Sequence, residues 1–317
     1  MLTAADLKSA QDIVYAAMQP TPQYCWPLLC KRLAAEVWVK HENHTPIGAF
    51  KVRGGFVHMR RRKERGETGG VISATRGNHG QSIATAGKRE GIPVTIVVPL
   101  GNSREKNDAM RAQGAQLIEY GRDFDEAAEH AKSLAGERGL SMVPSFHADL
   151  MHGVSTYAAE LFNAAGALDR VYVPIGLGSG ICGMIGARDV LGLKTEIVGV
   201  VATGAPAYAR SFDAGHVVPT NEANTFADGC AVRTPHPDAF EIIKKGAARI
   251  VQVEDDATAQ AMKHLYQDTH NLAEGAGAIA LAAALAESAQ NKGKRIGVVQ
   301  SGGNIDLALF MEKVAGV

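Results

Sequence analysis

The chain has 317 residues, 46% hydrophobic and 21% charged, which suits a globular protein with a sizeable core in one large domain or two smaller ones. Its 33 basic and 33 acidic residues cancel, arguing against nucleic acid or another polyanion as partner. The N-terminus, MLTAADLKSAQDIVYAAM, lacks the apolar core of a signal peptide and no segment reaches membrane-span length, so a soluble cytoplasmic protein is expected.

In chain order, the β-branched run at 36–42 predicts a first strand. It is followed by Ala49-Phe50-Lys51-Val52-Arg53-Gly54-Gly55, a lysine between apolar neighbours near a helix start. Partial burial there lowers a lysine pKa and favours the free amine that a Schiff base requires, although a surface lysine at a helix start fits the same string. A strand at 71–75 runs into Ser73-Ala74-Thr75-Arg76-Gly77-Asn78-His79-Gly80-Gln81 and a helix at 78–90. Exposed amides at such a helix start hold a carboxylate, and Asn78 can donate to a phenolate oxygen; an ordinary N-capping turn is the alternative. Strands at 94–99 and 115–120 and helices at 104–113 and 124–136 follow.

The strand at 171–175 opens into Gly176-Leu177-Gly178-Ser179-Gly180, a turn whose backbone amides can encircle a phosphate, as they also do in dinucleotide-binding proteins. Strands at 197–201 and 250–253 and a helix at 257–270 lead to a last strand at 296–300, which ends in Ser301-Gly302-Gly303-Asn304. The Ser301 hydroxyl can hydrogen-bond a neutral ring nitrogen or merely satisfy backbone groups in a turn. Strands alternating with helices, and apolar runs such as VTIVVP, predict an α/β fold with mostly parallel sheets flanked by helices. Cys25, Cys30, Cys182 and Cys230 form no C-x-x-C pair and read as reduced thiols, and Cys25 and Cys30 with His41 and His44 match no standard zinc spacing. The chain ends soon after its last strand and helix, so no appended regulatory domain is expected.

Taken together and in this order, the four motifs resemble the fold-type II (tryptophan synthase β-like) enzymes that use pyridoxal 5′-phosphate (PLP), specifically the threonine and serine dehydratases and serine racemases. The resemblance runs across essentially the whole chain. It implies that Lys51 forms the Schiff base with PLP, Asn78 contacts the ring hydroxyl, Gly176, Leu177, Gly178, Ser179 and Gly180 hold the phosphate, Ser301 faces the ring nitrogen and Phe50 packs beside the ring. It implies that Thr75, Arg76, Gly77, Asn78 and His79 bind substrate, and that Glu274 is the acidic residue near the cofactor, although Glu274 also fits a helix N-terminal charge. The family architecture places a small domain at 70–147 inside a large PLP-binding domain of 1–69 and 148–317, with the 73–81 loop closing over substrate. A homodimer is the family habit. The implied reaction is removal of water and ammonia from a small β-hydroxy-α-amino acid, with Lys51 taking the Cα proton. His79 and His152, near the cleft, are expected to orient loops.

The chain departs from the family in four places. Arg76 stands where relatives have a small residue and racemases a serine that acts on the opposite face; a permanent cation is no base, which weakens racemisation. Arg76 could bind a second substrate carboxylate, as in 3-hydroxyaspartate, or face solvent. The segment Ala202-Thr203-Gly204-Ala205 lacks the carboxylates that hold a divalent cation in many relatives, so no metal is expected there. Gly153-Val154-Ser155-Thr156 replaces the relatives' Gly-Gln-Gly-Thr, and Leu177 and Ser179 interrupt the phosphate-loop glycines. A β-replacement synthase of the same fold is a further alternative. A nucleotide-dependent oxidoreductase is a distant one, because Ile181 and Thr203 occupy the places where that fingerprint needs glycine and an acid.

Overall fold

In the computed structural model, which describes residues 2–316, the chain builds two sheets, each covered by helices. The strands are β1 (Gln23–Cys25), β2 (Glu36–His41), β3 (Val71–Ala74), β4 (Val94–Val98), β5 (Gln116–Glu119), β6 (Ser141–Met142), β7 (Arg170–Pro174), β8 (Glu196–Ala202), β9 (Arg249–Val253) and β10 (Arg295–Gln300). The helices are α1 (Ala4–Tyr15), α2 (Pro27–Leu33), α3 (Lys51–Glu64), α4 (Asn78–Glu90), α5 (Arg104–Ala112), α6 (Phe124–Arg138), α7 (Ala148–Ala165), α8 (Ser179–Val190), α9 (Ala207–Ala214), α10 (Pro237–Gly246), α11 (Asp255–Thr269), α12 (Gly275–Ala286), α13 (Ser288–Asn291) and α14 (Leu307–Ala315).

One sheet runs β1-β2-β10-β7-β8-β9, parallel except for β1, and the other runs β5-β4-β3-β6 with every pair parallel. Parallel pairing follows from the apolar runs: all residues of β3 and β4 are buried, as a strand covered on both faces requires. β10 is central in the large sheet, its Ile296 in register with both Val37 and Arg170. The turn after β10 therefore emerges beside the turns that leave β2 and β7.

Helix α3 is clasped between α7 and α4. A Cβ on Gly54 would lie 2.7 Å from the Leu150 carbonyl oxygen, and one on Gly153 would lie 2.2 Å from the Arg53 carbonyl oxygen. Both distances are too short for any side chain, so the paired glycines let the backbones of α3 and α7 touch and fix where α3 begins. Below this contact Arg53, fully buried, is bound by Glu42 at 2.7 Å and Glu160 at 2.6 Å. Lys40 bonds the same Glu160, so the buried charges stay paired as burial demands.

β1 and β6 are absent from the sequence reading. Each is three residues or fewer with no buried residue, too short to show alternation. Helix α12, GAGAIALAAALA, buried from Gly275 to Ala284, has no polar face and so no helical period to detect.

Candidate active site

Four turns meet at one notch. Phe50 donates its amide to the Ser301 carbonyl at 3.0 Å, Ala49 bridges Gly302, and the Ser82 hydroxyl donates to the Lys51 carbonyl at 2.7 Å. The start of α3 is thereby tied to the turn after β10 and to α4. Lys51 opens α3 with its Nζ 5.2 Å from the Phe50 ring centroid. Burial holds its ammonium below the ordinary lysine range, with Glu274 pulling the other way. The notch is lined by Phe50, Lys51, Asn78, Gly176, Leu177, Gly178, Ser179, Gly180, Glu274 and Ser301.

Its floor is the turn from β7 into α8. Gly178 caps α8 at φ +107°, in the left-handed region that favours glycine, and a Cβ on Gly176 would sit 2.2 Å from the Gly229 carbonyl oxygen. No side chain caps α8, so its first amides point into the notch without a side-chain acceptor. Ser301 donates its hydroxyl to the Ala276 carbonyl at 3.0 Å and presents its lone pairs elsewhere.

Outside the notch opens a cleft of about 620 Å³, lined by Thr75, Arg76, Gly77, Asn78 and His79 on one side and by the 221–225 and 231–234 segments on the other. Gly77 precedes α4 without a side-chain cap, repeating the bare helix start found at α8. Asn78 donates to Glu274 at 2.7 Å and accepts from Asn304 at 2.7 Å, leaving one amide hydrogen free. Burial lifts the Glu274 carboxyl above its usual range, although Lys106 and Asn78 oppose that shift. Burial, reinforced by the Lys51 cation, pushes buried His79 down to about 3, so its imidazole is neutral. The Arg76 side chain is exposed and has no hydrogen-bond or ion-pair partner among the described residues. His152 lies elsewhere, its Nδ1 against Arg61 at 2.9 Å and Asp6 at 3.9 Å, which corrects its expected position near the cleft.

The profile of the family described as "Pyridoxal-phosphate dependent enzyme" matches residues 14–302. The chain belongs to the pyridoxal-phosphate dependent enzymes. Among PLP-dependent relatives it is similar to the L-threo-3-hydroxyaspartate ammonia-lyase of Saccharomyces cerevisiae, 30% identical over 99% of this chain and 97% of that one. It is also similar to the L-threonine dehydratase biosynthetic IlvA of Salmonella typhimurium, 34% identical over 92% of this chain; the match spans only 58% of that longer relative. The processed form of threonine deaminase isoform 2 from Solanum lycopersicum superposes with a TM-score of 0.91 at 30% identity, covering 100% of this chain and 95% of that one.

The residues present fit PLP. The bare amides of α8 suit a phosphate dianion, and the buried amine of Lys51 suits a Schiff base. Sequence reasoning missed Lys106, which reaches the cleft from α5 and bonds Asp228 at 3.1 Å. Burial works against the Lys106 ammonium, but Glu274 and Asp228 outweigh it and hold its pKa above the ordinary range. It also missed Arg233 and Asp125, which pair across the cleft. Only the lysine's place in an amphipathic helix was visible in the sequence, and that pattern carries no signal of a site.

Proposed function

We propose that this chain is a PLP-dependent ammonia-lyase that converts a small β-hydroxy-α-amino acid to a 2-keto acid and ammonia. The observation that carries the reading is Lys51: an amine whose charge is disfavoured by burial, set in a notch that joins a bare helix start to a cleft with ample room for an amino acid. Bound PLP supplies an electron sink for the negative charge that forms at Cα. Lys51 holds the cofactor, and its neutral amine takes the Cα proton once substrate has displaced it. The amides at the start of α4 orient the substrate α-carboxylate. Ser301, a hydroxyl rather than a carboxylate, would leave the ring nitrogen neutral by turning its hydrogen from the Ala276 carbonyl to that nitrogen, so charge at Cα would be relieved by loss of the β-hydroxyl. Hydroxide leaves Cβ, and the enamine product tautomerises and takes up water to release ammonia.

Arg76 supports 3-hydroxyaspartate as the substrate, with oxaloacetate as product: it is a cleft-lining guanidinium with no carboxylate of the protein's own beside it. The same cation argues against a racemase, whose second base it replaces. Residues 70–147, which hold the whole four-stranded sheet, act as the inserted small domain over the large PLP-binding remainder. A cytoplasmic homodimer completes the proposal; no helix among the described residues is long and apolar enough to cross a membrane. Assaying keto acid and ammonia from L-threonine, L-serine and the 3-hydroxyaspartate isomers tests it: release from at least one is expected, and none from any would overturn it.

A further inference from the structure

Behind the active site, where the small sheet returns to the large one, three side chains from two helices converge. His58 lies two turns along α3 from Lys51, His147 is the N-cap of α7, and Asp149 stands in the first turn of α7. The Asp149 Oδ2 is 3.5 Å from the Nδ1 of His58 and 3.5 Å from the Nδ1 of His147, and one ligand atom from each residue lies within 4.8 Å of the other two. In a tetrahedral site with bonds of about 2.1 Å, neighbouring ligand atoms are about 3.4 Å apart, so two edges of such a site already exist.

His58 supplies the independent observation. It is 3% exposed, yet neither ring nitrogen makes a hydrogen bond of ordinary geometry among the described residues, Nδ1 meeting only the Asp149 carboxylate at 3.5 Å. Buried imidazoles ordinarily satisfy both nitrogens, and one left bare beside a carboxylate and a second imidazole lacks the atom that would bind all three.

We propose that His58, His147 and Asp149 form a binding site for a transition-metal dication of the zinc class, with water as fourth ligand. Two imidazoles and one carboxylate, with an open position, is a donor set that zinc accepts. The surrounding contacts are compatible with a bound ion. Arg61 donates to the other oxygen of Asp149 at 2.9 Å, as an outer partner that orients a ligating carboxylate. Arg65 lies 3.5 Å from Oδ2 but is held more closely by Glu67, at 2.7 Å, and its half-exposed side chain is free to leave. His147 Nδ1 accepts the Asp149 amide at 3.1 Å, so a metal bound there takes over the capping lone pair. The ion would lock α3 against the entry to α7, the point at which the chain passes between the two sheets. This site is separate from the segment after β8, and the inference does not rest on the proposed reaction.

The test uses PLP-loaded protein carrying Cys25→Ser and Cys30→Ser, because those thiols lie 3.4 Å apart and would compete for zinc. Equilibrium dialysis against zinc chloride should find about one zinc per chain with micromolar or tighter affinity, and cobalt should give the intense visible bands of a four-coordinate site. His58→Gln and His147→Gln should each weaken zinc binding at least about tenfold, with circular dichroism unchanged. No stoichiometric zinc at about 100 µM, or affinity retained within about twofold in the variants, overturns the site. Should His58→Gln fail to fold, the half-exposed His147→Gln decides alone.

Discussion

Lys51 and Arg76 are both cations of one cleft, and burial gives them different chemistry. Lys51 is half-buried, and desolvation makes it lose its charge more readily than a surface lysine, whereas Arg76 is exposed and keeps its charge at any working pH. Borohydride reduction of the PLP-loaded protein should therefore attach the cofactor to the peptide containing Lys51, as read by mass spectrometry. Lys51→Ala should abolish both that adduct and keto-acid release, and labelling of another lysine in the native chain would refute the assignment. Under the proposed reading, Arg76 would act only on a substrate with a second carboxylate. A lost charge-assisted hydrogen bond of about 1.5–3 kcal/mol corresponds to a fall of roughly 10- to 150-fold in kcat/KM. Arg76→Ala should show that fall on 3-hydroxyaspartate while threonine stays within about twofold. Equal losses on both substrates would make Arg76 a structural residue.

At the scale of elements, glycines divide into those that permit packing and those that leave room for a ligand. A methyl on Gly153 would meet the Arg53 carbonyl oxygen at 2.2 Å, whereas one on Gly180 would meet only the Phe50 ring and the Tyr157 hydroxyl, both at 3.6 Å. Gly153→Ala must push α7 off α3 and should cost about 1–3 kcal/mol in urea unfolding. Gly180→Ala should unfold within about 0.5 kcal/mol of the native chain yet bind PLP more weakly, because its methyl enters the notch beside the bare amides. If Gly180→Ala lost stability and kept PLP affinity, the α8 start would be packing rather than cradle. The sequence announces such places unevenly. The buried strands and α4 were legible because β-branched runs and an Asn-His-Gly turn carry local signals, and α4 begins at the expected residue. The glycine pair Gly54 and Gly153 was invisible as a contact, since nothing local records a helix crossing nearly a hundred positions away. The same distance hides Lys106 from Asp228 and His58 from Asp149. The notch residues of the four motifs carry local signals, whereas Lys106, Arg233 and Asp125, brought to the cleft by tertiary packing, carry none.

Over the whole molecule, buried neutral histidines couple the fold to pH. His41 accepts the Trp26 indole hydrogen on Nε2 at 2.8 Å, which obliges its Nδ1 to be the donor to Gln300 at 2.9 Å and fixes a neutral ring between β2 and β10. Burial pushes it down to about 4, and pushes His79 down to about 3. Unfolded histidine titrates near 6.5. Between about pH 4 and 6.5 the unfolded chain therefore binds protons at these two positions that the folded chain refuses. Stability must rise with pH across that window and fall on acidification. Burial of Glu274 acts with the opposite sign, since a carboxyl lifted in the folded state takes up its proton there first. Two protons taken up on unfolding at these positions contribute at most about 2.7 kcal/mol per pH unit; burial also lowers His147, His152 and His264, which add to that slope, while Glu274 reduces it. Urea unfolding of the PLP-loaded protein between pH 5 and 6.5 should thus show stability climbing by more than about 1 kcal/mol per unit. His41→Gln keeps a hydrogen-bonding side chain but cannot titrate, and should lower that slope by about 1 kcal/mol per pH unit even where it lowers stability at every pH. An unchanged slope in His41→Gln would mean that the ring accepts a proton in the folded protein, and that the Trp26 bond does not hold it neutral.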